Sequence, residues 1–241
     1  MQVFLMSAGL GTRMEELCES TPKPLLVVAG EPFIKHWLNH IGLYSIVTDV
    51  YINVHLHYDK VEHYINSVKN EFDYKIHLLH EQQLLGTGHT LLYNKDKIKN
   101  NVFCVIYADV FSKVNLDAML TYHIAKQCKA TLYSRPDLDT NKLFSSGILD
   151  IDDNNKIIKF VEKPKSIFSN YIACGLYMCN KSIIDKIENE NDFSKVLMRN
   201  DIDKFAYFQP NTEIYDMGTK ERYNKLLQVL ENNINAKKDF S

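Results

Sequence analysis

The first constraint on function is what the 241-residue sequence lacks. It has no basic excess: 28 Lys and Arg face 30 Asp and Glu, for a net charge of -2. A nucleic-acid partner ordinarily shows as clustered positive charge, and the lysines here are scattered. It also has no CxxC pair. The five cysteines, Cys18, Cys104, Cys128, Cys174 and Cys179, are odd in number and widely spaced, which fits free thiols in a reducing compartment. No apolar run approaches the roughly 20 residues that a helix needs to cross a bilayer. The opening Gln2-Val-Phe-Leu-Met6 is too short for a signal peptide and has no basic flank. There is no internal repeat and no Pro/Ser/Gly-rich linker. A cytoplasmic protein with no nucleic-acid and no membrane partner is expected.

What is present is the texture of an α/β chain. Hydrophobic residues make up 45% and charged residues 24%, enough to bury a sizeable core and remain in solution. Short apolar runs alternate with amphipathic stretches, as in strands crossed by helices. Gln2 to Met6 reads as a buried first strand, and Pro32 to Leu43 as a helix with Pro32 at its first position. Thr48 to Val54 reads as a strand and Tyr58 to Lys69 as a helix. Tyr74 to Leu79 and Asn101 to Tyr107 are further strands, with a helix from about Gly88 to Asn94 between them. Leu116 to Gln127 is another helix. Beyond it, strands are expected at 130–134, 147–152, 156–161 and 171–179, with Asp152-Asp-Asn-Asn155 as a turn. Thr219 to Asn235 closes the chain as a helix, and Asn235 to Ser241 is expected to fray. One domain over 1–241 is expected, with a first half at 1–130 and a mixed α+β second half at 131–241.

The segment carrying most chemistry is Ser7-Ala8-Gly9-Leu10-Gly11-Thr12-Arg13, directly after the first strand. Gly9 and Gly11 permit positive φ and close approach of backbone N–H groups to a ligand. Successive N–H groups in such a turn form an anion-binding hollow. Thr12 adds a hydroxyl, and Arg13 a permanently charged fork suited to phosphate oxygens. A Rossmann fingerprint is excluded because position 14 is Met, and no Gly-Lys-Ser/Thr ending makes a Walker A loop. Shortly after comes Thr21-Pro-Lys-Pro-Leu25. Two prolines stiffen the backbone around Lys23 and aim one ammonium at a fixed place.

This combined pattern, with Ala29-Gly-Glu-Pro32 after it, resembles the sugar-1-phosphate nucleotidyltransferases, the nucleotide-sugar pyrophosphorylases. The resemblance runs from Met1 to about Leu230. It implies an α/β fold with a Rossmann-like mixed, mainly parallel sheet flanked by helices. It also makes 1–130 a nucleotide-binding half and 131–241 a sugar-phosphate-binding half. By resemblance Ala8, Gly9, Gly11 and Thr12 hold the triphosphate, and Arg13 and Lys23 are catalytic, neutralising charge during transfer. Nucleoside triphosphate and sugar 1-phosphate are then the partners, and a homodimer is compatible with it. The segment His80-Glu-Gln-Gln-Leu-Leu-Gly-Thr-Gly88 matches the family's nucleobase site and looks like the guanylyltransferase branch acting on mannose or heptose 1-phosphates. Gly86 and Thr87 are assigned to the nucleotide with it. Glu81 suits guanine, whose N1–H and N2–H lie side by side for one carboxylate.

Ile106-Tyr-Ala-Asp-Val110 ends a buried strand, where ligands bind in open α/β sheets. By resemblance Asp109 is one Mg²⁺ ligand, and Asp216, in Ile214-Tyr-Asp-Met-Gly-Thr219, is the other. Two carboxylates plus phosphate oxygens suit that ion. In Val161-Glu-Lys-Pro164, Lys163 is matched to the sugar phosphate and Glu162 to sugar hydroxyls. Gly147 and Gly175, beside Ser146 and Cys174, match segments that touch the sugar. The sequence departs from the family at Ser7, where Ala or Cys is usual, at Lys220, where Pro is usual, and at Cys174, where Asn, Thr or Ala is typical.

Rival readings are a cytidylyltransferase for a non-sugar phosphate, other UTP-, dTTP- or CTP-dependent relatives, and a nucleotide-sugar sensor without catalysis. A GT-A-like glycosyltransferase would want Asp-x-Asp, and Asp109-Val-Phe111 lacks the second acid. His55, His57 and His63 do not have metal-ligand spacing and are expected at half-buried positions. Trp37 with Ile34, Leu38 and Ile41 is expected to form a core stripe.

Overall fold

The structure, a computed structural model, describes residues 1–153, 156–199, 204–209 and 212–238. The chain opens with β1 (Gln2–Met6), buried along its whole length. A two-stranded ribbon follows, β2 (Val27–Val28) with β3 (Glu31–Pro32), and leads into α1 (Phe33–Ile41). Next come β4 (Asp49–Val54), α2 (Tyr58–Val68), β5 (Lys75–His80), α3 (Thr87–Tyr93) and β6 (Val102–Tyr107). The short β7 (Val110–Ser112) precedes α4 (Leu116–Lys126). The second half holds β8 (Ala130–Pro136), α5 (Thr140–Ser145), β9 (Gly147–Ile151), β10 (Ile157–Glu162) and β11 (Tyr171–Asn180). It ends with α6 (Phe193–Arg199), β12 (Phe205–Phe208), β13 (Ile214–Asp216) and α7 (Lys220–Lys238).

One sheet runs through both halves in the order β10-β9-β11-β6-β1-β4-β5, with β8 beside β11 and β12 beyond β8. The pairings set β1, β4, β5, β6, β8, β9 and β12 in one direction, and β10 and β11 against it. The expected mixed, mainly parallel sheet flanked by helices is what the chain forms. Strand β1 shows why it is so apolar. Successive side chains of a strand point to opposite faces, so Val3 and Leu5 enter one core with α1 and α2. Phe4 and Met6 enter a second core with α3 and α6. A parallel strand covered on both faces has no polar side to keep.

The expected strands and long helices appear within one to three residues of their predicted bounds. Pro32 stands in β3, one residue before α1, whose buried stripe includes Ile34, Trp37, Leu38 and Ile41. Helix α7 runs past the predicted end at Asn235 to Lys238. Residues 154 and 155 of the predicted turn and 239–241 of the predicted frayed end lie outside the described residues. Seven elements were not foreseen: β2, β3, β7, α5, α6, β12 and β13. Each has seven residues or fewer, too few for a hydrophobic period to register.

Three features make the site. First, the chain leaves β1 toward β4 and β5, then returns to place β6 on the other side of β1. This reversal opens a crevice outside the C-terminal ends of β1 and β6. Second, β11 is long and irregular between Ala173 and Tyr177. Its first part pairs with β9 and its second with β6, so the β9–β10 hairpin extends the sheet beyond the end of β6 and walls the crevice. Third, β13 pairs with β7 and brings a C-terminal segment back to the crevice. Among the described residues, no helix is long and apolar enough to cross a membrane.

Candidate active site

The glycine-rich turn is anchored where it leaves β1. The Ser7 N–H donates to Asn53 Oδ1 at 2.7 Å, and Ser7 Oγ donates to the Asn53 carbonyl at 2.6 Å. The Ser7 hydroxyl thus stitches the turn to β4. Gly11 has φ +68, a conformation that an L side chain rarely adopts. The Met14 N–H closes the turn onto the Gly11 carbonyl at 2.7 Å, and the Met14 side chain plugs into the core. Gly9 faces open space, with nothing within 4 Å of where a Cβ would be. Ala8 is buried behind it. Thr12 is exposed. Arg13 reaches across to the C-terminal segment, where its Nη2 would lie 3.8 Å from a Cβ on Gly218.

Lys23 starts a 3-10 turn, Lys23–Leu25, between extended Pro22 and buried Pro24. This rigid frame delivers its ammonium to Asp109 Oδ2 at 2.9 Å. Burial works against a charge on Asp109, but Lys23, aided by Arg13, outweighs it and holds the carboxyl below the usual range. Asp109 is therefore ionised at neutral pH.

Asp109 and Asp216 are brought together by backbone pairing. In the β7–β13 ribbon Asp216 lies opposite Val110. The Met217 N–H donates to the Asp109 carbonyl at 2.9 Å. Trp37, besides filling the core, donates its Nε1–H to the Val110 carbonyl at 2.7 Å and fixes the same corner. Asp216 Oδ1 accepts the Gly218 N–H at 2.7 Å, and Oδ2 accepts from Arg222 Nη1 at 2.8 Å. Arg222 Nη2 donates onward to Ser145 Oγ at 3.1 Å. Sequence reasoning missed Arg222, since an arginine in the first turn of an amphipathic helix is ordinary.

Glu81 stands apart from its expected task. Its residue is 4% exposed, and both carboxylate oxygens are used inside the protein. Oε1 accepts from Asn53 Nδ2 at 2.8 Å and Thr90 Oγ1 at 2.5 Å, and Oε2 accepts the Leu85 N–H at 3.1 Å. The direct guanine contact read from sequence is therefore corrected. This carboxylate ties β4, α3 and the 82–86 loop together, and Asn53 links it to the Ser7 anchor. Glu81→Ala would strand the Leu85 N–H and leave Asn53 Nδ2 only Thr90 Oγ1, at 3.3 Å, and Thr90 Oγ1 only the Gly86 carbonyl, at 2.9 Å. A loss of about 3 kcal/mol in denaturant unfolding is expected, without a change in which nucleotide the folded protein prefers.

Gly86 and Gly88 also differ from expectation in what approaches them. A Cβ on Gly86 would lie 2.5 Å from the Asn191 carbonyl oxygen, and one on Gly88 2.4 Å from that of Glu190. The neighbour is the protein's own backbone, held by a bond from the Gly88 N–H to the Asn191 carbonyl at 2.8 Å. Thr87 Oγ1 accepts the Phe193 N–H at 2.9 Å. Gly88→Ala should destabilise the fold by about 1–3 kcal/mol through overpacking. A lower denaturant midpoint at unchanged m would show it.

At the other end, Gly147 pairs with Glu162 across the β9–β10 hairpin. A Cβ on Gly147 would sit 2.7 Å from Glu162 Oε2, so glycine makes room for that carboxylate. Burial, then the nearby Asp192 charge, pushes the Glu162 carboxyl up. Lys163 has φ 48, a strained value for lysine, with its N–H bonded to the Ser146 carbonyl at 3.0 Å. Gly175 has φ +68, and a Cβ there would lie 3.1 Å from the Tyr107 Cβ, so only glycine lets β11 pass this close. Together these residues border an open crevice of about 570 Å³. Arg13, Asp109 and Asp216 line it, with Gly9, Gly86 and Thr87 and with Gly147, Glu162, Lys163 and Gly175. Ala8 and Lys23 line an adjoining hollow, and Gly11 a shallow one behind the turn. Thr12 and Glu81 line none of these three. Among the described residues, no three His, Cys, Asp or Glu side chains gather as a metal cluster, and His55 instead bonds the Glu81 carbonyl at 2.7 Å.

A phosphate-suited turn at a switch point, facing two aspartates and two cations, defines a nucleotide-handling α/β protein. The chain belongs to the nucleotidyl transferase family, whose model matches residues 2–232. The bifunctional protein GlmU of Methanococcus maripaludis is 31% identical over 191 residues, 78% of this chain and 42% of that protein. Mannose-1-phosphate guanylyltransferase 1 of Arabidopsis thaliana is 29% identical over 78% of this chain and 52% of its own length. The chain thus spans about half the length of the curated relatives it matches. Among solved structures, a putative glucose-1-phosphate thymidylyltransferase from Bacillus anthracis has the same fold, with TM-score 0.81 and 20% identity. That match covers 95% of this chain and 94% of that one.

Proposed function

We propose that this chain transfers a nucleotidyl group from a nucleoside triphosphate to a sugar 1-phosphate, releasing pyrophosphate. The observation that carries this reading is the convergence of Arg13, Lys23, Asp109 and Asp216 on the crevice outside β1 and β6. In-line attack by the sugar phosphate oxygen on the α-phosphorus needs two anions held together and their charge offset. The Gly9–Gly11 turn, with Ala8 and Thr12, holds the triphosphate. Arg13 and Lys23 stabilise the transition state and the leaving pyrophosphate. Lys163 positions the attacking phosphate, with Glu162, Gly147 and Gly175 around the sugar. No covalent enzyme intermediate is required.

The two aspartates form a hard-oxygen donor set that fits Mg²⁺, an ion often bound by one or two carboxylates plus phosphate oxygens. Asp109 and Asp216 would hold it, and it would offset charge on the phosphate oxygens. GTP is the favoured nucleotide and a mannose- or heptose-type 1-phosphate the favoured acceptor. The guanylyltransferase relatives and the Leu85-Gly86-Thr87-Gly88 segment support that choice. With the Glu81 side chain engaged, the base is left to the loop backbone and to Gly86 and Thr87. A pyrophosphate-release screen of nucleoside triphosphates against sugar 1-phosphates with Mg²⁺ tests this. Release with GTP and mannose 1-phosphate is expected. A clear win for UTP, dTTP or CTP would overturn the guanine choice, and no release with any pair would overturn the activity. The protein is read as acting in the cytoplasm.

A further inference from the structure

The crevice walls differ in charge. On one wall stand Glu162, at the end of β10, and Asp192, just before α6. On the other stand Arg135 from β8, Lys142 from α5 and Arg222 from α7. These three cations come from separate elements and share few acids. Asp137 Oδ2 serves two of them, at 2.8 Å from Arg135 Nη2 and 3.6 Å from Lys142 Nζ. Asp216 serves Arg222, but the proposed reaction commits Asp216 to the metal. Asp139 is turned to its own helix, accepting the Asn141 and Lys142 N–H groups at 2.9 and 3.3 Å. Glu213 is bonded to the Tyr215 hydroxyl.

Arg135 also keeps a buried Nε without a hydrogen-bond partner among the described residues. That nitrogen is closed to water, so a ligand would meet Arg135 through its Nη groups, on a side chain that is 30% exposed. The cluster adjoins the sugar end: burial pushes the Cys174 thiol up to about 12, while neighbouring Arg135 pulls the other way. The acceptor's own 1-phosphate is already provided for by Lys163. The basic wall therefore exceeds what one phosphate requires.

We infer that the acceptor sugar carries a second acidic group, a carboxylate or a phosphate monoester, seated against Arg135, Lys142 and Arg222. The inference rests on the proposed transfer reaction and names its acceptor class. Guanidinium forks bind both acidic groups through paired, charge-assisted hydrogen bonds. The opposite wall, with Glu162 and Asp192, accepts from hydroxyls. The sugar thus lies with its acidic edge toward β8 and α5 and its hydroxyl edge toward β10 and α6.

The test compares mannose 1-phosphate, mannuronic acid 1-phosphate and mannose 1,6-bisphosphate as acceptors, by kcat/KM and by calorimetric binding. One of the two acidic acceptors is expected to exceed mannose 1-phosphate by about tenfold or more, the scale of one charge-assisted contact. Whichever wins identifies the acidic group. Arg135→Gln and Lys142→Gln should each reduce kcat/KM for the acidic acceptor far more than for mannose 1-phosphate. Equal use of all three acceptors by the wild-type protein would overturn the inference, as would equal losses on all three in Lys142→Gln. Calorimetry reads the site without turnover. Tighter binding of an acidic acceptor with no pyrophosphate release would overturn the activity alone.

Discussion

Lys23→Ala is expected to lower kcat by about 10²–10³-fold, the usual loss when one preorganised charge is removed from a transition state. Stability should fall by no more than about 1 kcal/mol. The two effects separate because of where the ammonium sits. Lys23 is 13% exposed and its partner Asp109 33%, so water reaches the carboxylate that the truncation leaves behind and limits the loss of stability. The chemical role is different, since charge on the leaving pyrophosphate has few places to go. Pro22 and Pro24 hold the backbone on both sides, so the truncated side chain leaves the turn in place. Steady-state kinetics beside denaturant unfolding checks the claim. Wild-type turnover in a folded Lys23→Ala protein would remove Lys23 from the mechanism.

The second large effect is expected at the aspartates. Asp109→Asn and Asp216→Asn should each lower Mg²⁺-supported turnover by about 10³-fold or more, matching the several kcal/mol that a metal ion supplies to phosphoryl chemistry. Mn²⁺ binding, followed by electron paramagnetic resonance without substrates, should weaken in both. The two variants differ in their side effects. Asp109→Asn leaves Lys23 without an anionic partner. Asp216→Asn frees Arg222, which then holds Ser145 alone. Asp109 starts with its carboxyl held low by Lys23 and Arg13, so it is a ready anion across the neutral range. Unchanged Mn²⁺ affinity in both variants would discard the metal assignment while leaving the transfer reaction to be judged by its own screen.

The sequence was legible where a signal is local. The glycine-rich turn, the prolines around Lys23 and the acid at the end of β6 each carry their meaning within a few residues. Alternation and helical periodicity were enough for the long strands and helices. What stayed hidden depends on partners distant in the chain. Nothing near Glu81 announces that Asn53, Thr90 and Leu85 will claim its oxygens. An acid beside a glycine-rich loop has the same appearance whether it faces a base or the protein. Gly86 and Gly88 were recognised as points of close approach, but the approaching backbone, 190–191, lies about 100 residues later. Arg222 and the β7–β13 ribbon were missed for the same reason. A three-residue strand has no period to detect, and its pairing exists only once both segments are in place.

That ribbon has a consequence for when the protein can begin to work in a cell. Asp109 and Asp216 are 107 residues apart (216 - 109), and the bond from the Met217 N–H to the Asp109 carbonyl closes the interval. At about 5–20 residues per second, a ribosome needs roughly 5–20 s to travel from the first aspartate to the second. During that interval β1, β4, β5 and β6 can already assemble and present the glycine-rich turn. On the proposed function, the nucleotide side of the crevice would form before the second aspartate is made, and competence would arrive late, with the last strand to be laid down.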